Sequence, residues 1–156
     1  MDDRRRYFGF LADSARWDAI ELRDDDIVIS TPSKCGTTWT QHIVALLVFG
    51  SVDLPAPLSS LSPWIDMQVR TTDEVAALVE DQEHRRFFKT HTPLDGIPTY
   101  RGVTYLAVFR HPLDVVLSDR DHARNADAEI DRLRAAAVGD KDLDRLPPIP
   151  PRPDDP

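Results

Sequence analysis

The stretch "VISTPSKCGTTW", residues 28–39, begins as a buried strand and ends as the start of a helix. Between the two lies a turn that holds Lys34, Gly36 and the hydroxyl side chains Ser33, Thr37 and Thr38. The first N–H groups of a helix have no intrahelical partners and carry a partial positive charge. A loop that delivers a strand into a helix is therefore a ready anion site. Gly36 lets the backbone approach a ligand closely, Lys34 adds a full charge, and Thr37 and Thr38 add hydroxyl donors. The loop is not a Walker A loop, because its Lys precedes its only Gly, so ATP is not the default ligand. A plain strand–helix turn whose threonines cap the helix is the competing reading.

Outward from this corner the chain reads as alternating elements. Ile27 to Ser30 form a short buried strand. "TTWTQHIVALLVFG" has no helix breaker before Gly50, and Trp39, Ile43, Leu46 and Leu47 recur at helical spacing. Residues 51–66 are rich in Pro and Ser and read as a loop. A helix is predicted from about 73 to 82, with Thr71 or Thr72 as its N-cap. "RRFFKTH" reads as a short buried strand ending near Thr90, and "GVTYLAVFR" as another. His111-Pro112 closes that strand and opens a helix, since Pro at a first helical position lacks an N–H that would have no partner anyway. Residues 1–26 are expected to supply only a short helix and a connector at the domain edge. Strands alternating with helices imply an α/β fold, a three-layer parallel sheet flanked by helices.

Composition sets limits. The chain has 156 residues, 41% of them apolar, which suits one domain with its own core. That domain is expected over residues 1–125; residues 126–156 read as an acidic, Pro-rich tail, a weak helix followed by a disordered stretch. The net charge of -8 argues against nucleic acid and anionic membrane as partners. A bound anion must then be held by a few local cations and backbone amides. No apolar run approaches the roughly 20 residues that span a membrane, and "MDDRRRYFGF" lacks the apolar stretch of a secretion signal. A cytoplasmic protein is the expectation. Cys35 is the single cysteine, too few for a disulfide or a cysteine-based zinc site.

Two further segments bear on the corner. In "FFKTHTP", strand alternation puts Lys89 and His91 on the same side, at the carboxyl end of the strand, where open α/β sheets bind ligands. A His beside a cation near a bound anion is a candidate general base; an ordinary polar residue at a strand end is the alternative. In "VFRHPLDVVLS", Arg110 leaves a strand at the same edge, and Ser118 lies in the next helix, where a hydroxyl can face it. The pair suits a second phosphate, or else Arg110 pairs with Asp114 or Asp119.

Together "TPSKCGTTW", "KTHTP" and "YLAVFRHPLDVVLS" resemble, in order, three segments of the cytosolic-type sulfotransferases, which use 3'-phosphoadenosine 5'-phosphosulfate as sulfonate donor. The resemblance covers about residues 15 to 122 and implies a P-loop NTPase-like sulfotransferase fold. It implies that Lys34 contacts the 5'-phosphosulfate while Cys35, Gly36, Thr37 and Thr38 form the loop that cradles the phosphate. Trp39 would stack on adenine, core packing being its other role. His91 would take the acceptor's proton, Lys89 would hold the transferring sulfonate, and Arg110 and Ser118 would bind the 3'-phosphate. Trp64, in "SPWIDM", would line the pocket of a small-molecule alcohol or phenol acceptor, or else be a surface aromatic. The product would be adenosine 3',5'-bisphosphate, and the resemblance calls for no metal.

Departures from the family pattern are equally legible. Ser33 and Cys35 stand where the family usually has Pro and Ser. The family is roughly double this length, and its Arg-Lys-Gly segment, later strands and much of its acceptor pocket have no counterpart after Asn125. The fold is thus expected to lack its C-terminal elements, with reduced activity, an uncovered apolar face and a tendency to self-associate. A non-catalytic nucleotide-binding module that needs a partner chain is the second reading. A nucleotide kinase is the third and weakest, since no Mg²⁺-binding Asp follows a strand where it should.

Overall fold

The computed structural model describes residues 4–9 and 11–124. Three parallel strands form its sheet: β1 (Ile27–Ser30), β2 (Phe87–Thr90) and β3 (Thr104–Ala107), in the order β2-β1-β3. The central β1 pairs Ile29 with Lys89 on one side and with Leu106 on the other. This register sets the carboxyl ends Ser30, Thr90 and Ala107 next to one another, so the three following loops emerge at one edge.

Alternation along the strands feeds two cores. Val28 and Phe88 pack with Trp17, Ile65, Val75, Val79 and Ile97, whereas Ile27, Ile29 and Phe87 pack with Val44, Ala45 and Leu61. The side chains of Phe87 and Phe88 are fully buried, and such burial contributes about 2 to 3 kcal/mol for each ring. The first core lies under a 3₁₀ helix (Ser14–Ala19) and α3 (Thr72–Glu80), the second under α1 (Thr37–Phe49) and α2 (Leu58–Leu61). Helices thus cover both faces, as the alternation of elements predicts.

Helix ends follow local chemistry. α3 opens on a capping box: the Glu74 N–H donates to Thr71 Oγ1 (3.2 Å), and the Thr71 N–H donates to Glu74 Oε2 (2.7 Å). α1 stops at Gly50, whose φ of 65° lets its N–H reach the Leu46 carbonyl. α4 (Pro112–Arg124) starts at the predicted proline.

Two expectations need correction, and the face of α1 adds a finding. The loop expected over 51–66 contains the one-turn α2, whose Leu61 and Leu58 pack into the second core. β3 ends at Ala107, so Val108, Phe109 and Arg110 do not extend it. The stripe of Trp39, Ile43, Leu46 and Leu47 marks a helix but not its buried face. Trp39 and Leu47 are 78% and 79% exposed, while the smaller Thr37, Gln41, Val44 and Ala45 are buried. Phe109 and, on α4, Leu113, Val116 and Leu117 are exposed as well. The predicted tail, 126–156, lies outside the described residues. Among the described residues no helix is long and apolar enough to cross a membrane.

At the amino end of the sheet the Arg86 guanidinium clamps Asp26 through Nε (2.8 Å to Oδ1) and Nη2 (2.6 Å to Oδ2), and both side chains are buried. Removing one partner leaves a charge stranded in the core. Arg86→Met is expected to cost about 3 to 5 kcal/mol in urea unfolding. Arg23→Ala, which breaks an exposed pair with Glu80, should cost less than about 1 kcal/mol.

Candidate active site

β1 delivers the chain into a loop with two left-handed residues, Lys34 (φ 62°) and Gly36 (φ 92°). Such turns curl successive N–H groups towards one point and form a concavity suited to an anion. Gly36 is the N-cap of α1 and makes no side-chain cap, so the first-turn donors of the helix face outward. A Cβ placed on Gly36 would meet nothing within 4 Å, so the space above it is open. Thr31 and Thr37 share a hydroxyl–hydroxyl bond that ties the two ends of the loop together.

Beside this loop, past the end of β2, His91 Nδ1 lies 2.7 Å from the Thr31 carbonyl. A carbonyl only accepts, so Nδ1 carries the proton and Nε2 keeps its lone pair. Burial pushes the His91 pKa below its ordinary value; the Lys89 charge adds to this, while the Thr31 hydrogen bond and Asp66 oppose it. Lys89 is also pushed down by burial, against the pull of Asp66. Its Nζ sits 4.4 Å from the centre of the Trp64 ring, a cation–π contact. Trp64 meets the His91 ring edge-on, with centroids 4.7 Å apart. Trp64 and Lys89 are joined by a short bridge in which the Lys89 N–H donates to the Pro63 carbonyl (3.0 Å).

Lys34, Gly36, Thr37, Thr38 and Trp39 line a cavity of about 1000 Å³ together with Lys89, His91, Arg110 and Ser118. Trp64 stands in its wall and, with Thr38 and Lys89, also borders a second cavity of about 390 Å³. Leu58, Pro63, Met67, Val69 and Val75 make much of that second cavity apolar, and Arg70 is in its rim. Arg110 Nε lies 3.7 Å from Asp114 Oδ2, beyond hydrogen-bond reach, and both side chains are about half exposed. That pairing is weak and leaves the guanidinium available to the cavity.

One sequence-predicted residue stays away. The Cys35 side chain is buried and the cavity walls do not include it; its N–H donates to the Pro32 carbonyl (3.3 Å), closing the turn. Several wall residues escaped sequence reasoning. Tyr7, Phe8 and Leu11 come from the segment expected to be a mere edge connector, and Asp119 and His122 from the later turns of α4. Asp66, buried behind Trp64, carried no local signal in its Pro- and Ser-rich surroundings.

A parallel sheet with a strand–loop–helix corner at its carboxyl edge places the molecule in the P-loop-like α/β class. The chain belongs to the sulfotransferase family: the family pattern described as "Sulfotransferase domain" matches residues 24–144. It is 49% identical over 138 residues to the glycolipid sulfotransferase of Mycobacterium tuberculosis, covering 88% of this chain and 42% of that protein. The amine sulfotransferase of Oryctolagus cuniculus is 31% identical over 107 residues, covering 65% of this chain and 34% of that protein. The chain therefore spans less than half the length of these relatives. Among solved structures, retinol dehydratase in complex with retinol and PAP superposes with a TM-score of 0.54 at 23% identity, over 72% of this chain and 46% of that one. This likeness extends the family's fold to the described sheet and helices.

The His91 ring is expected to titrate in NMR with a midpoint below the ordinary value of about 6.5, and so to be neutral at pH 7. Since the folded state holds this proton less tightly than the unfolded chain does, its contribution to stability is present above the ordinary value and is lost as pH falls through the folded midpoint. A midpoint above the ordinary value would contradict a buried, neutral imidazole.

Proposed function

We propose that this chain binds 3'-phosphoadenosine 5'-phosphosulfate and serves sulfonate transfer to the hydroxyl of an alcohol or phenol. The observation that carries the reading is the single cavity shared by Lys34, the opening turn of α1, Lys89, His91, Arg110 and Ser118. The outward donors at Gly36 and the open space above it fit a phosphate group, and Arg110, only loosely held by Asp114, fits a second one. PAP in the retinol dehydratase complex is the corresponding bisphosphate in a protein of the same fold.

The donor supplies an activated sulfonate joined to phosphate. His91 Nε2, kept unprotonated by the Thr31 carbonyl on the other nitrogen, accepts the proton of the acceptor hydroxyl as its oxygen bonds to sulfur. Lys34 and the first-turn amides stabilise the charge that collects on the departing phosphate oxygen. Lys89, desolvated against Trp64, stands beside His91 where the transferring group would pass. Trp39 lines the same cavity with its indole exposed, as a stacking partner for the adenine must. The apolar cavity beyond Trp64 is the place for the acceptor, and the relative named as a glycolipid sulfotransferase makes a lipid-linked sugar hydroxyl a fitting acceptor of this kind.

A second reading has its own observation. Phe109 and, on α4, Leu113, Val116 and Leu117 are exposed, so the chain also fits a nucleotide-binding module completed by a partner chain. The two readings share donor binding and differ in turnover.

Calorimetry is expected to detect adenosine 3',5'-bisphosphate binding and none of ATP with Mg²⁺. Arg110→Ala should weaken the bisphosphate by about tenfold or more, the loss of a charge-assisted contact. Equal affinity for both nucleotides would remove the role given to Arg110 and Ser118. In a sulfonate-transfer assay with phenols, alcohols and a glycolipid, slow turnover is expected, reduced at least about a hundredfold by His91→Ala. Bisphosphate binding with no turnover would favour the module.

A further inference from the structure

Asp66 is completely buried, borders neither cavity, and carries a carboxylate that four side chains approach as donors. Its Oδ2 accepts from Trp17 Nε1 (3.2 Å), from the Thr90 hydroxyl and from the Thr92 hydroxyl (2.7 Å), while Oδ1 accepts from Trp64 Nε1 (2.6 Å). Thr90 and Thr92 are the two neighbours of His91 in the chain. The Thr92 N–H donates in turn to Thr90 Oγ1 (2.9 Å), which closes the backbone into a tight arch with His91 at its crown. The remaining ligand, Trp64, is the ring on which Lys89 and His91 rest.

We propose that Asp66 is the positioning residue of this site: from its buried place, its carboxylate sets the place of the His91 arch and of the Trp64 wall, without touching donor or acceptor. The proposal rests on the reading of His91 as the base for sulfonate transfer. A core that needed only to be filled would use an apolar residue, since burying a carboxylate is costly unless its acceptor sites are occupied. Here they are occupied by donors from the 3₁₀ helix, the Trp64 segment and both flanks of His91. One group thereby couples the base to the wall between the two cavities. Proton transfer and in-line attack both suffer from sub-ångström misplacement, so such a clamp bears on rate more than on ligand affinity.

Asp66→Asn is the informative change, because it preserves shape and removes the charge. The amide orientation that keeps its oxygen on Trp17, Thr90 and Thr92 turns its NH₂ on the Trp64 N–H, so the indole loses its anchor. The charged and titratable groups that line the cavity with His91 are Lys34, Lys89, Arg110, Asp119, His122 and Tyr7. None of these is substituted in the variant. Loss of the Asp66 charge should therefore appear as a His91 midpoint at lower pH, since that charge holds the midpoint up.

The test is a ¹³C-histidine NMR titration of the full chain, wild type against Asp66→Asn, with bisphosphate affinity measured on the same samples. Expected are a lower His91 midpoint, displaced His91 ring resonances as Trp64 moves, and bisphosphate affinity within about twofold of wild type. Wherever turnover is measurable, kcat should fall by about tenfold or more while the dissociation constant of the bisphosphate stays unchanged. Unaltered His91 resonances and midpoint in a folded Asp66→Asn would overturn the proposal. If that variant does not fold, Thr92→Val removes one donor and keeps the charge: displaced His91 resonances support the clamp, and resonances that superpose on wild type overturn it. Failure of the wild type to bind the bisphosphate would sink the donor reading instead, and the His91 comparison would still decide the role of Asp66.

Discussion

The parallel pairing of β1 with β2 and β3 is the constraint on which the rest depends. Because Ser30, Thr90 and Ala107 end in register, the loop with Lys34, the turn with His91 and the segment with Arg110 begin side by side. No long-range electrostatic attraction gathers these residues, and the cations Lys34, Lys89 and Arg110 would not gather by themselves. Backbone hydrogen bonds and two buried apolar layers hold them together, so fold stability offsets the repulsion within the cavity. A slip of one residue in β2 would exchange the sides of Lys89 and Thr90, sending the cation into the first core.

Electrostatics then works at short range. His91 is neutral because it is buried beside a cation and because the Thr31 carbonyl occupies Nδ1. Lys89 faces the same burial, but the Trp64 ring and the Asp66 charge favour its protonated form. Burial thus pushes both groups, two residues apart, towards their neutral forms, and the Asp66 charge opposes it at each.

Much of this was legible in the sequence, for identifiable reasons. β1 was readable to the residue and β2 at its carboxyl end because both are short apolar runs, and α3 and α4 because Thr71 and Pro112 announce them. α2 was not, since one helical turn among prolines leaves no periodicity to find. The burial of α1 was also hidden: the heavier apolar stripe faces outward, and the helix buries its smaller side chains. In the site, cations, hydroxyls and the histidine were visible as local motifs. Asp66, Tyr7 and Phe8 were not, because their roles arise from contacts between segments far apart in the chain, which spacing alone does not encode.

Lys34 shows what the loop costs the fold. An L-residue held at a φ of 62° is strained by roughly 1 kcal/mol or more relative to glycine. Selection for heat resistance alone would therefore favour glycine at this position, and the result would be a sturdier protein with an emptier corner. On the proposed donor reading, any programme of thermal improvement applied to this chain should leave residue 34 alone, because comfort of the backbone and usefulness of the side chain then pull in opposite directions.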